Sequence, residues 1–446
     1  MNLRFKCITL VVFGSSLLWN TTAEAQTKGL SLQEAVELSL ANNPELKASG
    51  LDVSKAQQQT VVARSMYMPT VTATAFANHY FQRPVFFGFG EASTDGKISY
   101  GRFGGEDQGG AALTAVQPIF HPGSLSTLRH ARLSEKVSGV ALSAQQIFIV
   151  SKIKQTYLQI LVLNERISLQ GQSLQRNRRA LQDSRSLLLQ GKVLRVDTLR
   201  AHTAMKSLEP ELVKLTYARE TARLNLRALI GIDSLQDIEL SDSLSIPITA
   251  IPEETEVCEA ARRNNPAYVT LAIQELLNEQ QARQAAADRL PVVSLVGQYQ
   301  VQTQANDLDY GKGPYPPTSY VGLQVTVPLF NGFATTARIK QAQFDRQQST
   351  LRLKDATEKL KADVHAVVAN VKESLERIYI ARSVSETAKL SFDIVQYRYS
   401  KGVSSRLELT DAELALTQAQ SNYLEAVYDY LSARIALFSL MGKLDE

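Results

Sequence analysis

The chain has 446 residues, with 48 basic and 44 acidic side chains and a formal net charge of +4. This charge is too small to indicate nucleic-acid binding. Its two cysteines, Cys7 and Cys258, are too few for a disulfide framework or a thiolate metal site, because Cys7 lies in a segment predicted to be removed.

The first 25 residues have the pattern of a secretory signal peptide. Arg4 and Lys6 precede a mostly apolar run over residues 7–18, and the small-x-small triplet Ala-Glu-Ala follows at 23–25. An apolar run of about twelve residues is too short to span a bilayer. We expect cleavage before Gln26, the alternative being a buried N-terminal helix.

The rest of the chain contains no run of 18 or more apolar residues, which predicts that it has no transmembrane helix. If the exported chain enters a membrane, we expect it to do so as a closed β-barrel. The reason is that backbone amides in lipid need partners within the protein.

Short landmarks recur in the same order in the two halves of the chain. They are Asn42-Asn43-Pro44 with 264–266, Pro69 with Pro291, Pro118-Ile119-Phe120 with 328–330, Gly191 with Gly402, and Leu229-Ile230-Gly231 with 440–442. The offset is 222 for the first two pairs and 210 or 211 for the others. We therefore predict two structural repeats, 26–233 and 253–446, joined by a polar connector at 234–252.

Each repeat contains a long stretch with helical periodicity. Residues 123–190 lack proline and carry apolar residues at spacings of three and four, and residues 334–400 repeat the pattern. This is typical of coiled-coil-like amphipathic helices. At about 1.5 Å per residue each would be roughly 100 Å long, so we expect these helices to pack side by side.

Four strands are predicted, near 69–80, 110–120, 292–304 and 320–329. The last two alternate: Leu295, Tyr299 and Val325 are apolar, whereas Gln300 and Gln324 belong to the opposite faces. The alternation is typical of a membrane-barrel wall, with a half-buried soluble sheet as the alternative. The first two strands alternate less cleanly, and their loop at 81–108 is predicted to be extracellular, with a disordered insertion as the alternative. Since closed membrane barrels need at least about eight strands, several chains must contribute.

These features resemble the TolC-like outer-membrane efflux family. The resemblance rests on Asn42-Asn43-Pro44, the strand ends at 117–120 and 327–330, the glycine turns at Gly191 and Gly402, and the ordered duplication. It covers essentially the whole mature chain. It implies a mainly α fold with a small β-barrel portion, in which a homotrimer forms a twelve-stranded outer-membrane β-barrel continued by a long α-helical periplasmic barrel.

The resemblance also implies a function. The chain would be a passive exit channel of a tripartite efflux pump or type I secretion system in the outer membrane of a Gram-negative bacterium. Its partners would be outer-membrane lipid, a periplasmic adaptor protein and an inner-membrane pump. The cargo stays open between drugs, metals and proteins.

Family likeness further implies roles for residues near the two glycine turns. The turns that would contact the adaptor contain Gly191, Lys192 and Val193, and Gly402, Val403 and Ser404. Glu408 and Asp411 match an acidic pair at the tunnel entrance, and their i, i+3 spacing puts both on one helix face. A solvated acidic face is the alternative; a ring of such acids would favour cations.

Asp197 and Tyr399 resemble a constricting link between neighbouring helical hairpins. The family has an arginine where this chain has Ser404. Arg195 and Arg406 lie nearby in the sequence and are the candidates to replace it.

Signals for catalysis are weak. None of the five histidines is paired at metal-ligand spacing, and no phosphate-binding glycine loop follows a strand. We therefore expect no enzyme activity, cofactor or metal. A periplasmic or surface coiled-coil structural protein or adhesin is the other interpretation, but it leaves the four strands at matched points of the duplication unexplained.

Overall fold

The computed structural model describes residues 29–87, 100–232, 238–247, 250–306, 310 and 313–444. The predicted signal peptide lies outside the described residues. The elements in chain order are α1 Leu32–Asn42, α2 Pro44–Ser65, β1 Thr70–His79, β2 Val85–Phe87, β3 Tyr100–Arg102, β4 Asp107–Phe120, α3 Pro122–Leu189, α4 Arg195–Ile230, α5 Glu254–Asn264, α6 Pro266–Ala287, β5 Val292–Ala305, β6 Pro317–Thr326, α7 Ala334–Ser400 and α8 Arg406–Leu440.

The order of the elements is duplicated. Two short helices, a pair of strands, a very long helix and a shorter helix occur in each half. The predicted duplication of helix, β-hairpin and long helix is therefore confirmed at the level of the fold. The strand pairing differs from two separate hairpins, because β4 of the first half pairs directly with β5 of the second.

The repeated Asn-Asn-Pro motifs mark breaks between helices. Pro44 and Pro266 occupy the first turns of α2 and α6, where a missing amide hydrogen costs nothing. Asn43 and Asn265 cap these helices, and their side-chain amides also donate to the carbonyl oxygens of Leu229 and Leu440. Each asparagine thus joins the C-terminus of one helix to the N-terminus of another.

Long antiparallel helices dominate the rest of the molecule. The first helical hairpin is α3, of 68 residues, packed along α4, and the second is α7, of 67 residues, packed along α8. Helix α3 also contacts α8, which joins the hairpins. At about 1.5 Å per residue, the long helices reach roughly 100 Å.

Each repeat has its own apolar core. Ile153, Ile160 and Leu226 belong to a core built mainly from α1, α3 and α4, whereas Val368 and Val427 belong to one built from α5, α7 and α8. A smaller cluster of Leu158, Val162 and Leu424 connects α3 to α8. The duplication seen in the sequence is therefore also a duplication of cores.

The connector is attached to the first core through Tyr157. Its hydroxyl lies 2.9 Å from the carbonyl oxygen of Leu30 and 2.9 Å from Oδ2 of Asp242. Burial raises the pKa of the Tyr157 phenol, and the Asp242 carboxylate raises it further. The phenol therefore stays a neutral donor that holds the connector against α3.

The four long strands form one antiparallel sheet in the order β1-β4-β5-β6. Directly opposed residues share a face, so the register assigns every side chain to one of two faces. The apolar face carries Val71, Ala73, Ala75, Ala111, Leu113, Ala115, Val293, Leu295, Tyr299, Val301, Val321, Leu323 and Val325. The other face is mainly polar and carries Thr70, Thr72, Thr74, Thr114, Ser294, Gln298, Gln300, Gln302, Thr318 and Gln324, together with the apolar or aromatic residues Phe76, Val116, Val296 and Tyr320.

The pairing explains the weak alternation of the first two strands. Their apolar face is built from alanines, which stand beside Leu113 and Tyr299 of neighbouring strands. On the polar face, the amides of Gln298, Gln300 and Gln302 form consecutive hydrogen bonds of 3.4 and 3.1 Å along β5.

The strand boundaries differ from the predicted ones by three residues at both ends of β6, which begins at Pro317, and at the start of β4. Strand β6 ends at Thr326, so Val327 and Leu329, which were predicted to belong to it, lie beyond its end. Pro328 has no amide hydrogen for the ladder, and the partner strand β5 begins opposite Thr326. Strand β4 begins at Asp107, earlier than predicted, and the loop before it contains the small sheet of β2 and β3.

The sheet has two free edges. Among the described residues, no strand pairs with the outer edge of β1 or of β6. The apolar face is also uncovered, and Val321, Leu323 and Val325 are 77%, 68% and 60% exposed. An uncovered apolar face with open edges indicates that this sheet has further partners.

No helix within the described ranges is long and apolar enough to cross a membrane.

Candidate functional site

The helical hairpins each end in a glycine turn, at the end of the molecule farthest along α3 and α7 from the sheet. Gly191 and Gly402 have φ values of 67° and 73°, a left-handed conformation that glycine adopts without strain. The amide of Lys192 donates to the carbonyl oxygen of Leu187 at 2.9 Å, and Val403 donates to Arg398 at 3.0 Å. These bonds satisfy the last carbonyls of α3 and α7 and reverse the chain sharply.

The second turn is held to the start of α8 by two serines. Ser405 caps the helix, because its Oγ accepts a hydrogen bond from the Glu408 amide at 3.2 Å. The hydroxyl of Ser404 donates to the Glu408 carboxylate. Glu408 is therefore fixed against the turn, and Ser404 is buried in this contact.

The acids of α8 fall into two environments. Glu408 and Asp411 are exposed, as expected for carboxylates that face water. Glu413, only two residues farther on, is buried at 6% exposure. The predicted pair thus lies on the accessible side of α8, while the third acid faces the rest of the protein.

The structure does not bring the four gate candidates together within one chain. Asp197 accepts a hydrogen bond from the Leu194 amide at 3.2 Å, so it caps its own helix, α4. Tyr399 lies instead beside Arg406, whose guanidinium carbon is 5.9 Å from the tyrosine ring centroid. Arg195 is exposed at the first turn of α4. The predicted link between Asp197 and Tyr399, on neighbouring helical hairpins, is therefore not formed within this chain as described and stays a prediction.

Six residues of the two turns were predicted to contact an adaptor. Lys192 is exposed and Val193 half-buried, whereas Val403 is 68% exposed. The two glycines are also exposed, and only Ser404 is buried. The turns therefore present one charged and one apolar side chain prominently to solvent.

Sequence reasoning missed one ionic contact near this site. The Glu413 carboxylate accepts hydrogen bonds from Arg176 Nε at 3.0 Å and from Ser173 Oγ at 3.3 Å. A signal was present: Glu413 lies between Leu409 and Leu416 in the i, i+4, i+7 stripe that forms the buried side of α8. An acid in such a stripe predicts a buried cationic partner.

Metal-binding groups do not accompany these acids. Within the described ranges, no group of three or more His, Cys, Asp or Glu side chains has a geometry that could hold a metal ion. The exposed features at this end are thus two turns and an acidic helix face.

A family model described as "Outer membrane efflux protein" matches residues 35–232 and 257–443, one segment in each half of the chain. The chain belongs to the outer membrane efflux protein family. The break between the two matched segments falls in the connector region, so this family carries the duplication that the elements show.

Individual members are similar along most of their length. The alkaline protease secretion protein AprF of Pseudomonas aeruginosa is 22% identical over 419 residues, which cover 94% of this chain and 85% of AprF. The outer membrane protein TolC of Escherichia coli is 22% identical over 441 residues, which cover 93% of this chain and 83% of TolC. The CmeC outer membrane channel of Campylobacter jejuni superposes with a TM-score of 0.76 at 17% identity, covering 93% of this chain and 87% of CmeC. This structural likeness shows the fold.

Membership of this efflux family decides the general function. The chain is an exit channel of the efflux and type I secretion class, located in the outer membrane of a Gram-negative bacterium and extending into the periplasm. TolC-like channels are trimers that work with an adaptor and an inner-membrane pump, and the family consists of channel proteins. The interpretation as a coiled-coil protein without a pore is thereby excluded.

Proposed function

We propose that three copies of this chain close one twelve-stranded barrel and align their helical hairpins into a single periplasmic tunnel. The observation that carries the proposal is the four-stranded sheet with two free edges and one exposed apolar face. Pairing β1 of one chain with β6 of the next satisfies both edges, and lipid covers the apolar face. The polar face, with its threonines and glutamines, then lines the passage.

The mass of the purified complex in mild detergent tests this closure. We expect three times the mass of the mature chain, together with retention of the protein in the membrane pellet after carbonate extraction. A monodisperse monomer with full strand content, or release by carbonate, would contradict the proposal.

At the other end, Glu408 and Asp411 are assigned to an acidic constriction at the periplasmic entrance. Both carboxylates are exposed, and they follow the turn at Gly402 by six and nine residues on one face of α8. Three copies place six carboxylates around one axis, where their field favours cations.

The two turns are assigned to the contact with the periplasmic adaptor, which connects the channel to the inner-membrane pump. Lys192 and Val403 are the side chains most available there. Photo-crosslinkers at these two positions should capture the adaptor in cells. A crosslinker at Lys359, an exposed residue of α7 far from the turns, is the matched control and should capture none.

We assign the selection of the transported compound to the inner-membrane pump. Three related proteins are named for protease secretion, pyoverdine export and cobalt-zinc-cadmium resistance. A conduit that accepts cargo from different pumps fits that range. In cells, replacing the pump while keeping this channel should change which compound is exported.

A further inference from the structure

A cleft of about 280 Å³ lies between the connector and the helices α3 and α8. The two helices form its sides with residues spaced by three or four, and connector residues 242–247 form its roof. The apolar residues that line it include Val150, Leu158, Leu161, Leu244, Leu431 and Phe438. The cleft is therefore bounded by both repeats and by the segment that joins them.

Three apolar clusters meet at this cleft. Leu161 packs against the core of the first repeat, Phe438 against the core of the second, and Leu431 against the smaller cluster of α3 and α8. Wall atoms that face a gap have no partner on that side, so an apolar group that enters the gap gains dispersion contacts. A cavity of about 150 Å³ with this kind of lining holds benzene. The larger cleft of this protein has room for a longer apolar body.

One end of the cleft is polar and cationic. Ser151 and Lys154 of α3 and Ser439 of α8 line this end, together with Lys443, which follows α8. The Nζ of Lys154 donates to the carbonyl oxygen of Leu444 at 2.8 Å, which places the ammonium group beside the residues that follow α8. An ammonium group has three N–H donors and a full charge, so it can bind an anion in addition to its partners within the chain.

The other two charged residues of the lining hold the roof in place. Oδ2 of Asp242 accepts from the Leu32 amide and from the Tyr157 hydroxyl, both at 2.9 Å. Arg434 donates to the carbonyl oxygen of Pro247. The connector is thus bonded to α1, α3 and α8, so the space beneath it is built into the fold.

The length of the cleft fits a short alkyl chain. Lys154 and Leu161 are seven residues apart on α3, roughly 10 Å along the helix axis. With carbon–carbon bonds of about 1.5 Å, an extended chain of about eight carbons spans roughly 9 Å. A head group bound to Lys154 therefore places the far end of such a chain beside Leu158 and Leu161.

We propose that this cleft binds an amphiphile with one anionic head group and an unbranched alkyl body of about eight carbons. The head bonds to Lys154 and Lys443, and the body lies against Leu158, Leu161 and Leu431. The bound molecule contacts both repeats and the connector, so it stabilises the junction between them. All of these groups belong to one chain and lie apart from the sheet and from the glycine turns, so binding does not depend on how the barrel closes.

Equilibrium dialysis of isotopically labelled octanoate against the purified complex, held in amphipol, tests the proposal. We expect saturable binding at one site per chain and a melting temperature that rises with the octanoate concentration. 1-Octanol and octylammonium carry the same body with a neutral and a cationic head. Octanol should bind about ten-fold more weakly, and octylammonium more weakly still, because both lose the charge-assisted bonds to the lysines. Acetate, which has the head without the body, should not compete.

Two variants locate the site. Lys154→Gln with Lys443→Gln preserves the size of the cleft and should lower the affinity for octanoate about ten-fold, to that of octanol. Ser245→Phe, at an exposed roof residue that lines the cleft, fills the space and should abolish the binding of both. Lys152→Gln is the matched control, since Lys152 is an exposed lysine of α3 outside the lining of this cleft, and it should leave binding unchanged.

Equal affinity of the wild type for octanoate and 1-octanol would overturn the anionic head group and the proposal with it. Octanoate uptake that neither variant reduces would show partition into the amphipol or onto the apolar sheet, and would equally overturn the cleft as a site. If Ser245→Phe does not assemble, the double lysine variant decides alone. A complex that conducts ions but binds no octanoate overturns this inference and leaves the proposed channel function intact.

Discussion

The side-chain amide of Asn265 donates a hydrogen bond to the carbonyl oxygen of Leu440 at 3.0 Å. Its Oδ1 simultaneously accepts from the amides of Ala267 and Tyr268 at the start of α6. One side chain thus satisfies unpaired groups at the end of α8 and at the beginning of α6. Asn43 repeats the arrangement with Leu229, at 2.8 Å, which explains why the motif occurs twice.

Replacing Asn265 with alanine should destabilise the protein by about 1–2 kcal/mol, because the helix cap and the bond to Leu440 are lost together. Chemical unfolding of the folded complex measures the change. Asn264→Ala is the control, since Asn264 is exposed and makes no side-chain hydrogen bond in the part of the chain that the structure describes. Equal effects of the two substitutions would refute the capping role.

The two faces of the sheet should respond differently to charge. Val325→Arg places a cation on the apolar face and should cost about 2–4 kcal/mol if it lies near the bilayer midplane. Gln324→Arg, on the polar face, should be tolerated. Yields of membrane-inserted complex compare the variants, and cysteines at 324 and 325, without Cys258, should differ in reactivity with a water-soluble reagent. Equal reactivity would contradict a lipid-facing wall.

The entrance acids should control ion selectivity. The double change Glu408→Gln with Asp411→Asn should reduce the preference for cations and relieve block by multivalent cations, because it removes the six carboxylates. In the wild type the preference should fall with salt, as the Debye length is about 8–10 Å at physiological ionic strength. Asp183→Asn removes an exposed acid from the tip of the other hairpin and serves as control. Unchanged selectivity in the double variant would make these acids a solvated face.

Tyr157 should contribute to the dependence of stability on alkaline pH. Its folded pKa is raised above the ordinary value of 10.0, so the unfolded chain loses the phenol proton first as pH rises. The contribution of this tyrosine is complete below pH 10 and is lost progressively above it. Tyr157→Phe should therefore be less stable at pH 8, by about 1 kcal/mol for the lost hydrogen bond. Its stability should also fall less steeply between pH 10 and 11, as measured by denaturant unfolding.

The long helices were predictable from the sequence to within one residue at each end. Residues 123–190 were predicted for α3 and 122–189 are observed, because a strong apolar periodicity without proline leaves the backbone few alternatives. The end of β6 was not predictable to the same precision. Its alternation of apolar and polar residues continues through Val327 and Leu329. The hydrogen-bonded ladder nevertheless stops at Thr326, because β5 begins at the opposite residue, Val292.

The candidate site was less accessible to sequence reasoning than the fold. The glycine turn at Gly402 is a local sequence pattern, whereas the role predicted for Glu408 depends on the family resemblance and stays a prediction. The ion pair of Arg176 and Glu413 joins residues that are 237 positions apart. No local sequence pattern therefore identifies Arg176 as the partner of Glu413. The predicted link between Asp197 and Tyr399, on neighbouring helical hairpins, also joins residues that are far apart in the sequence, and it stays a prediction.

The glutamines of β5 determine how a solute can form hydrogen bonds with the polar face of the sheet. Gln298, Gln300 and Gln302 already bond to one another, and the four long strands contain one aspartate, Asp107, and no Glu, Lys or Arg. A solute that bonds to these amides replaces a bond that they make to water or to one another, and this exchange releases little free energy. In the proposed barrel this surface is therefore well wetted and weakly adhesive, so we expect molecules to leave it with little friction whatever the sign of their charge.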